Sequence, residues 1–324
     1  MTCMTRSRRT NVIAAYVIAV VILFLGRQLF SPASEPVQDA LIFISDFDSI
    51  DASRNSNSVY RIGSDGRVLR RIVGSIPHGN GYLRTTDVDC HAASQQLVIA
   101  SHWRDLNGFH HALLDGTGLH LDQPAAGDSL AATRQIAIAP DGTGIVVSRQ
   151  FDNFEAPRFG LVAGDLFSRD YRIIRGPSAQ RSYISPDYSP IGRLLAYIIQ
   201  RHDDADWASR LVIALPTGGQ EQVIFETRQR ISEVAWSPIG EWLALVVDGQ
   251  IYRIHGYGGH APVKLTDGPG GGRSPRWSPD GERISYVTGS TFPGHHQLMI
   301  MNADGTGKQR VTNIRGGVTN GCWV

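Results

Sequence analysis

Three cysteines stand in 324 residues, and one of them, Cys3, lies at the extreme N-terminus. That excludes a small fold held up by a disulfide framework. Lysine is equally scarce: Lys264 and Lys308 are the only two, so nearly all positive charge is arginine. Net charge is missing as well. With 31 Lys+Arg against 30 Asp+Glu, the chain has no broad positive field to hold a nucleic acid. A hydrophobic fraction of 42% is too low for a polytopic membrane protein but ample for a buried core.

Catalytic and metal signatures fall short too. Gly127-Asp128-Ser129-Leu130 spells a GDSL hydrolase tetrapeptide, yet no Asp-x-x-His follows anywhere in the chain. His110-His111 and His295-His296 are adjacent pairs in strand-like segments, where alternation sends neighbours to opposite faces. They read as partly exposed strand histidines, with neither pair able to chelate a metal unaided. Asp46, Asp48 and Asp51, and separately Asp203, Asp204 and Asp206, lack the glycine-containing loop of a recognised calcium site and read as solvated loops. No metal, cofactor or catalytic residue is expected.

One long apolar run is present. Arg6, Arg8 and Arg9 precede Val12 to Leu25, and Asn11 to Phe30 reaches the length of a membrane span if Arg27 snorkels to the interface. The reading is a basic cytoplasmic tail (1–10), a transmembrane signal anchor (11–30) and a polar linker (31–39). A cleaved signal peptide ending near Ser31-Pro32-Ala33 is the alternative. Either way the remainder, 40–324, is placed outside the cytoplasm.

That remainder is rich in glycine and repeats itself. RWSPDGERISYV (276–287) is echoed by AWSPIGEWLALVV (235–247), DYSPIGRLLAYII (187–199) and, more weakly, IAPDGTGIVVS (138–148). Each copy is followed by a strand-like segment, a second Gly-containing turn and another strand, as in HQLMIMNADGTGKQRVT (296–312). Pro140, Pro190, Pro238 and Pro279 recur at intervals of 50, 48 and 41, near the 40–45 residues of a propeller blade. A further copy has lost its signature at Cys90-His91-Ala92-Ala93-Ser94 but keeps its order. The N-terminal segments ALIFISD, SVYRIGSDG and RVLRRIVG lack an inner strand, while the C-terminal stretch from Val318 to Val324 is an inner strand without a blade. Trp323 falls 46 residues after Trp277, where the next inner strand is due. The expectation is an all-β, six-bladed propeller of four-stranded blades, closed by the C-terminal strand completing the N-terminal blade. Cys90 and Cys322 then fall in inner strands of neighbouring blades, either bonded or as two buried thiols.

WSPDG, a β strand and then MNADGTG resemble the repeat of periplasmic TolB proteins and of the non-catalytic propellers of serine peptidases. The resemblance covers nearly all of 40–324. It implies a propeller and, from TolB, docking to a peptidoglycan-associated lipoprotein. TolB carries an additional α/β domain, for which no segment here is suited, and is exported by a cleaved signal. The peptidase likeness carries no active site.

Trp236, Trp277 and Trp323 share one repeat position, which reads as packing between blades. The links after strands two and four are long and varied, and they carry Trp103, Arg104, Phe154, Arg201, His202 and Trp207, types favoured at binding hot spots. An arginine also enters nearly every inner strand on that face: Arg84, Arg134, Arg181, Arg230, Arg273 and Arg315. Converging on the channel mouth, they would suit an anionic partner. The functional expectation is an envelope-anchored, non-catalytic propeller binding a protein or glycan through this face. The alternative is a hydrolase or lyase acting on a sugar or peptide, which requires carboxylates or metal ligands pointing into the channel.

Overall fold

A computed structural model describes residues 39–46, 57–78, 81–82, 84–103, 106–122, 133–151, 156–168, 170–203, 208–268, 270–288 and 296–324. The N-terminal anchor, the linker apart from Asp39, the GDSL tetrapeptide, Asp48, Asp51, Asp204, Asp206 and His295 lie outside the described residues.

Every described element is a strand. The first blade contributes β1 (Ala40–Ser45), β2 (Ser58–Gly63) and β3 (Arg70–Val73), followed by a small hairpin of β4 (Pro77–His78) and β5 (Gly81–Tyr82). The second runs β6 (Arg84–His91), β7 (Gln96–Trp103), β8 (Leu106–Leu113) and β9 (His120–Asp122). The third runs β10 (Thr133–Ile138), β11 (Gly144–Phe151), β12 (Arg158–Asp165) and β13 (Tyr171–Arg175). The fourth runs β14 (Arg181–Tyr188), β15 (Leu195–Arg201), β16 (Ser209–Ala214) and β17 (Gln222–Thr227). The fifth runs β18 (Ile231–Trp236), β19 (Trp242–Val247), β20 (Gln250–His255) and β21 (Val263–Lys264). The sixth runs β22 (Arg273–Trp277), β23 (Arg283–Val287), β24 (Leu298–Asn302) and β25 (Gln309–Arg310). The last strand, β26 (Val318–Trp323), pairs antiparallel with β1, so the N-terminal sheet is ordered β26-β1-β2-β3. Six four-stranded antiparallel sheets therefore form the ring, with the closure expected from the repeats.

The motif residues account for the turns. In Trp-Ser-Pro-Asp-Gly, the Ser278 hydroxyl accepts a hydrogen bond from the Arg283 N–H at 2.9 Å, and Asp280 Oδ1 accepts from the Glu282 N–H at 2.9 Å. Ser189 and Ser237 repeat the first contact with Leu194 and Trp242. Gly281 adopts φ +75°, a left-handed conformation that a side chain would strain. These residues are scaffold.

The core lies between blades. Leu41, Phe43, Ile300 and Trp323 form one cluster joining the sixth and first blades; Ile198, Leu211, Trp236 and Leu245 join the fourth and fifth. Stacking in this way covers faces that a lone sheet would expose. Trp236, Trp277 and Trp323 are all buried, at 6%, 8% and 6% exposure. The Trp277 indole N–H donates to the Ala235 carbonyl at 3.2 Å and that of Trp323 to the Arg276 carbonyl at 3.1 Å, each reaching the preceding blade.

Closure is reinforced covalently. Cys90 on β6 and Cys322 on β26 form a disulfide, with Cα atoms 5.8 Å apart, joining the C-terminal strand to the second blade. Ala40 and Val324 exchange backbone hydrogen bonds at 3.1 and 2.9 Å, and Arg283 pairs with Asp39.

Candidate functional site

The inner strands β6, β10, β14, β18, β22 and β26 line the central channel, and side-chain acceptors latch β6 to β10, β10 to β14, β14 to β18 and β18 to β22. Asp87 Oδ2 accepts the Ile136 N–H at 2.7 Å, Asp89 Oδ2 the Ile138 N–H at 2.8 Å, and Asp187 Oδ2 the Trp236 N–H at 2.6 Å. Gln135 Oε1 accepts from Ser185 at 2.8 Å, the Ser185 hydroxyl from Val234 at 2.9 Å, and Glu233 from the Ser274 N–H. Ser185 and Ser274 sit at irregularities in their strands with φ +50° and +51°. Their backbone N–H groups are the ones capped by Gln135 and Glu233, so the bulges re-aim donors toward the preceding blade. Without a side-chain acceptor each of these N–H groups would be buried and unpaired.

Four of these residues also make an electrostatic centre. Asp87, Asp89, Asp187 and Glu233 face Arg276, whose Nη2 lies 3.9 Å from Asp87 Oδ1. Burial pushes Asp87 and Asp187 up to about 7, with Arg276 the main opposing influence. Asp89 and Glu233 are raised for the same reason. Burial alone would lower Arg276, but the surrounding carboxylates outweigh it and its pKa is raised. One guanidinium thus serves four carboxyl groups, and the sum stays negative when they ionise.

Around this centre opens a cavity of about 750 Å³, within the size range of small-ligand sites. Arg84, Arg134, Arg230 and Arg273 line it. Arg181 and Arg315 do not: both are exposed and outside its lining. They stand six residues before Asp187 and seven before Cys322, whereas the lining arginines stand three or five before the corresponding residue. At about 3.3 Å per residue, that carries them beyond the rim.

The expected loop residues divide. Arg201 pairs with Asp203 through its Nε at 2.6 Å, and His202 Nε2 lies 2.9 Å from the Ser182 hydroxyl. Partial burial and nearby arginines lower the His202 pKa. Arg104, Phe154 and Trp207 lie outside the described residues, as does the side chain of Trp103 at the end of β7. His110 corrects the expectation of a partly exposed strand histidine. It is only 3% exposed, with Nδ1 3.0 Å from the Ser101 hydroxyl, because β8 begins earlier than its turn residues indicate and puts His110 mid-strand. His111, on the opposite face, packs edge-on against His120 and Phe167.

No family model matches the chain. A curated relative, "Uncharacterized peptidase YuxL" of Bacillus subtilis strain 168, is 34% identical over 111 residues, 32% of this chain and 17% of the relative's length. The chain thus spans a small part of that protein. Among solved structures, TolB from Acinetobacter baumannii superposes with a TM-score of 0.69 at 15% identity, covering 88% of this chain and 66% of that one. The fold is that of the TolB propeller. A TolB-type protein of Agrobacterium tumefaciens matches similarly, with a TM-score of 0.60 at 15% identity over 86% of this chain and 90% of its own.

Sequence reasoning did not find the carboxylate latches or Arg276. A signal was present. Asp89, Asp187 and Arg276 occupy one repeat position, immediately before the residue that is Trp in the clearest copies. Charged residues at a position where other copies carry Ala137 and Ala235 mark the side of the strand that faces the channel.

Proposed function

We propose that this protein is a non-catalytic binding propeller that recognises an anionic protein or glycan at the arginine-lined, loop-rich end of its channel. The observation that carries the reading is that Arg84, Arg134 and Arg230 line one cavity while none forms an ion pair among the described residues. Exposed arginines on a rigid scaffold present a steering field and multidentate donors to an anion. We place Arg201, at the end of β15, and His202, which follows it, at the same end, and extend the proposal to Trp103, Arg104, Phe154 and Trp207 on the strand-two links of the repeat. Membrane anchoring through 11–30, with the propeller on the periplasmic or extracellular side, is part of the proposal. A disulfide between Cys90 and Cys322 suits an oxidising compartment and supports that side. The test is affinity capture from crosslinked envelopes, comparing the wild type with Arg84→Gln/Arg230→Gln and with a deletion within 201–209. A partner lost in both variants is expected; unchanged capture in both would refute the reading.

A hydrolase or lyase acting on a sugar or peptide is the second reading, favoured by one observation. Carboxyl groups do point into the channel, and Asp87 and Asp187 sit near pH 7, a range suited to proton transfer. Against it, each carboxyl group already spends an oxygen on a backbone N–H of the next blade. Turnover of oligosaccharide or peptide by the wild type, abolished in both Asp87→Asn and Asp187→Asn, would establish it; no turnover in the wild type would dismiss it.

A further inference from the structure

We infer that the channel mouth holds a specific site for an oxyanion, a carboxylate or phosphate, borne on a polar molecule whose hydrogen-bond donors point inward to the carboxylate floor. The inference rests on the reading of this end as the recognition end and names the chemistry recognised there.

Arg134 and Arg230 belong to the third and fifth blades, which are not neighbours in the ring. Partial burial lowers the Arg134 pKa, and the charge of Arg230 lowers it further. Gln135 Nε2, one residue on, reaches the Ser232 carbonyl at 3.4 Å, which shows how narrow the channel is at this level. Both arginines line one cavity, and neither is ion-paired among the described residues. The Arg134 guanidinium rests on the Phe159 ring, 4.6 Å from its centroid, which keeps it directed rather than free to swing away. Guanidinium groups lining one cavity without carboxylate partners offer multidentate donors to an anion.

Two further atoms have the same deficit. The Thr133 hydroxyl is fully buried, lines the cavity and has no hydrogen-bond partner. Arg273 donates from Nη2 to the Val318 carbonyl at 3.2 Å, but its Nε has no partner. Buried polar atoms in native proteins are paired almost without exception, and these two unmatched donors belong to residues that line the arginine cavity. An oxyanion in the cavity supplies acceptors for the arginines that line it.

The floor sets the ligand's orientation. Its excess of carboxyl groups over Arg276 repels a second anion and accepts donors; Asp87 Oδ1 has no hydrogen bond of its own. A molecule with its acid group at the mouth and hydroxyl or amino groups below fits both ends. A dianion with acid groups at both ends does not.

The test is isothermal titration of the purified full chain with glucuronate and glucose 6-phosphate, with inorganic phosphate and glucose as the stripped-down probes. Glucuronate and glucose 6-phosphate are expected to bind saturably, phosphate more weakly, and glucose not at all. Which of the two sugar anions binds more tightly decides between carboxylate and phosphate. Arg134→Gln and Arg230→Gln are each expected to weaken binding about tenfold or more, while Arg181→Gln and Arg315→Gln leave it unchanged. Raising salt from about 20 to about 300 mM should weaken it severalfold. The inference is overturned by no saturable binding of any anion up to roughly 10 mM, by glucose binding as well as glucuronate, or by equal losses in the Arg181 and Arg315 variants. Absence of anion binding while a partner is still captured through this end would remove the oxyanion site and leave the recognition end standing.

Discussion

Breaking the bond between Cys90 and Cys322 tests how the ring is held shut. The two cysteines are separated by 232 positions, so the cross-link closes a very long loop in the unfolded chain. Loop-closure entropy grows with the logarithm of length, and a loop of this size corresponds to about 5 kcal/mol at the limit. Native disulfides deliver nearer 2–4 kcal/mol (roughly) once residual structure in the unfolded chain is counted. For a domain of this size each kcal/mol moves Tm by about 2 °C or somewhat more, so a loss of about 5–10 °C is expected. The assay compares oxidised wild type, reduced wild type and the Cys90→Ala/Cys322→Ala variant by thermal and urea unfolding. Reduced protein should resemble the variant. The β26–β1 pairing and the buried Trp323 should still close the ring at low temperature, so near-native circular dichroism is expected in all three. A Tm shift below about 1 °C, with both thiols protected from labelling in the oxidised protein, would refute the reasoning.

Other consequences are more local. Asp87 and Asp187 titrate near 7 when folded but near 3.9 when unfolded, so the folded state holds the extra proton. Their contribution is full below about pH 4 and is lost as pH rises through 7. Asp187→Asn, which keeps an acceptor for the Trp236 N–H, should therefore gain stability over wild type between pH 5 and pH 8, by roughly 1–3 kcal/mol; a difference that stays flat with pH would contradict the buried-carboxyl account. Trp323→Ala removes a side chain 6% exposed, its hydrogen bond to Arg276 and its contact with the Arg283 guanidinium, 5.0 Å from the ring. Urea unfolding should show a loss of about 3–5 kcal/mol. Gly116 has φ +85° and an added Cβ would meet the Ile72 carbonyl at 2.0 Å, whereas Gly259 has the same φ and nothing within 4 Å. Gly116→Ala should cost about 2–4 kcal/mol and Gly259→Ala about 1, so equal losses would show that blade contact is irrelevant at this turn.

The scaffold was legible because it repeats. A proline at near-constant intervals, a tryptophan before it and a glycine turn after it are each demanded by one blade and then demanded again. Trp323 could be assigned a partner more than 270 residues upstream because its spacing from Trp277 made it the missing inner strand. The bond between Cys90 and Cys322 was open, since spacing set them in adjacent strands without saying that their side chains meet. What departs from the repeat was harder to read. Asp87, Gln135, Ser185 and Glu233 perform equivalent latching with four residue types, so no single letter recurs. Arg276 is unique, and its meaning lies in carboxylates contributed by three other blades. Six arginines enter inner strands in the sequence, and four of them line the cavity. Bulges at Ser185 and Ser274 alter the path of the inner strands, and Arg181 and Arg315 start too far from the channel's centre.

The most direct test of the recognition end is site-specific photocrosslinking in the source cells. A photoreactive residue is placed at Arg84 or Arg230 at the mouth, or at Ile191 or Ile239, exposed on the opposite turn face. Adducts that form from the mouth positions, disappear with added Arg134→Gln and do not form from the turn positions are the expected result. Adducts confined to Ile191 and Ile239 would contradict the account.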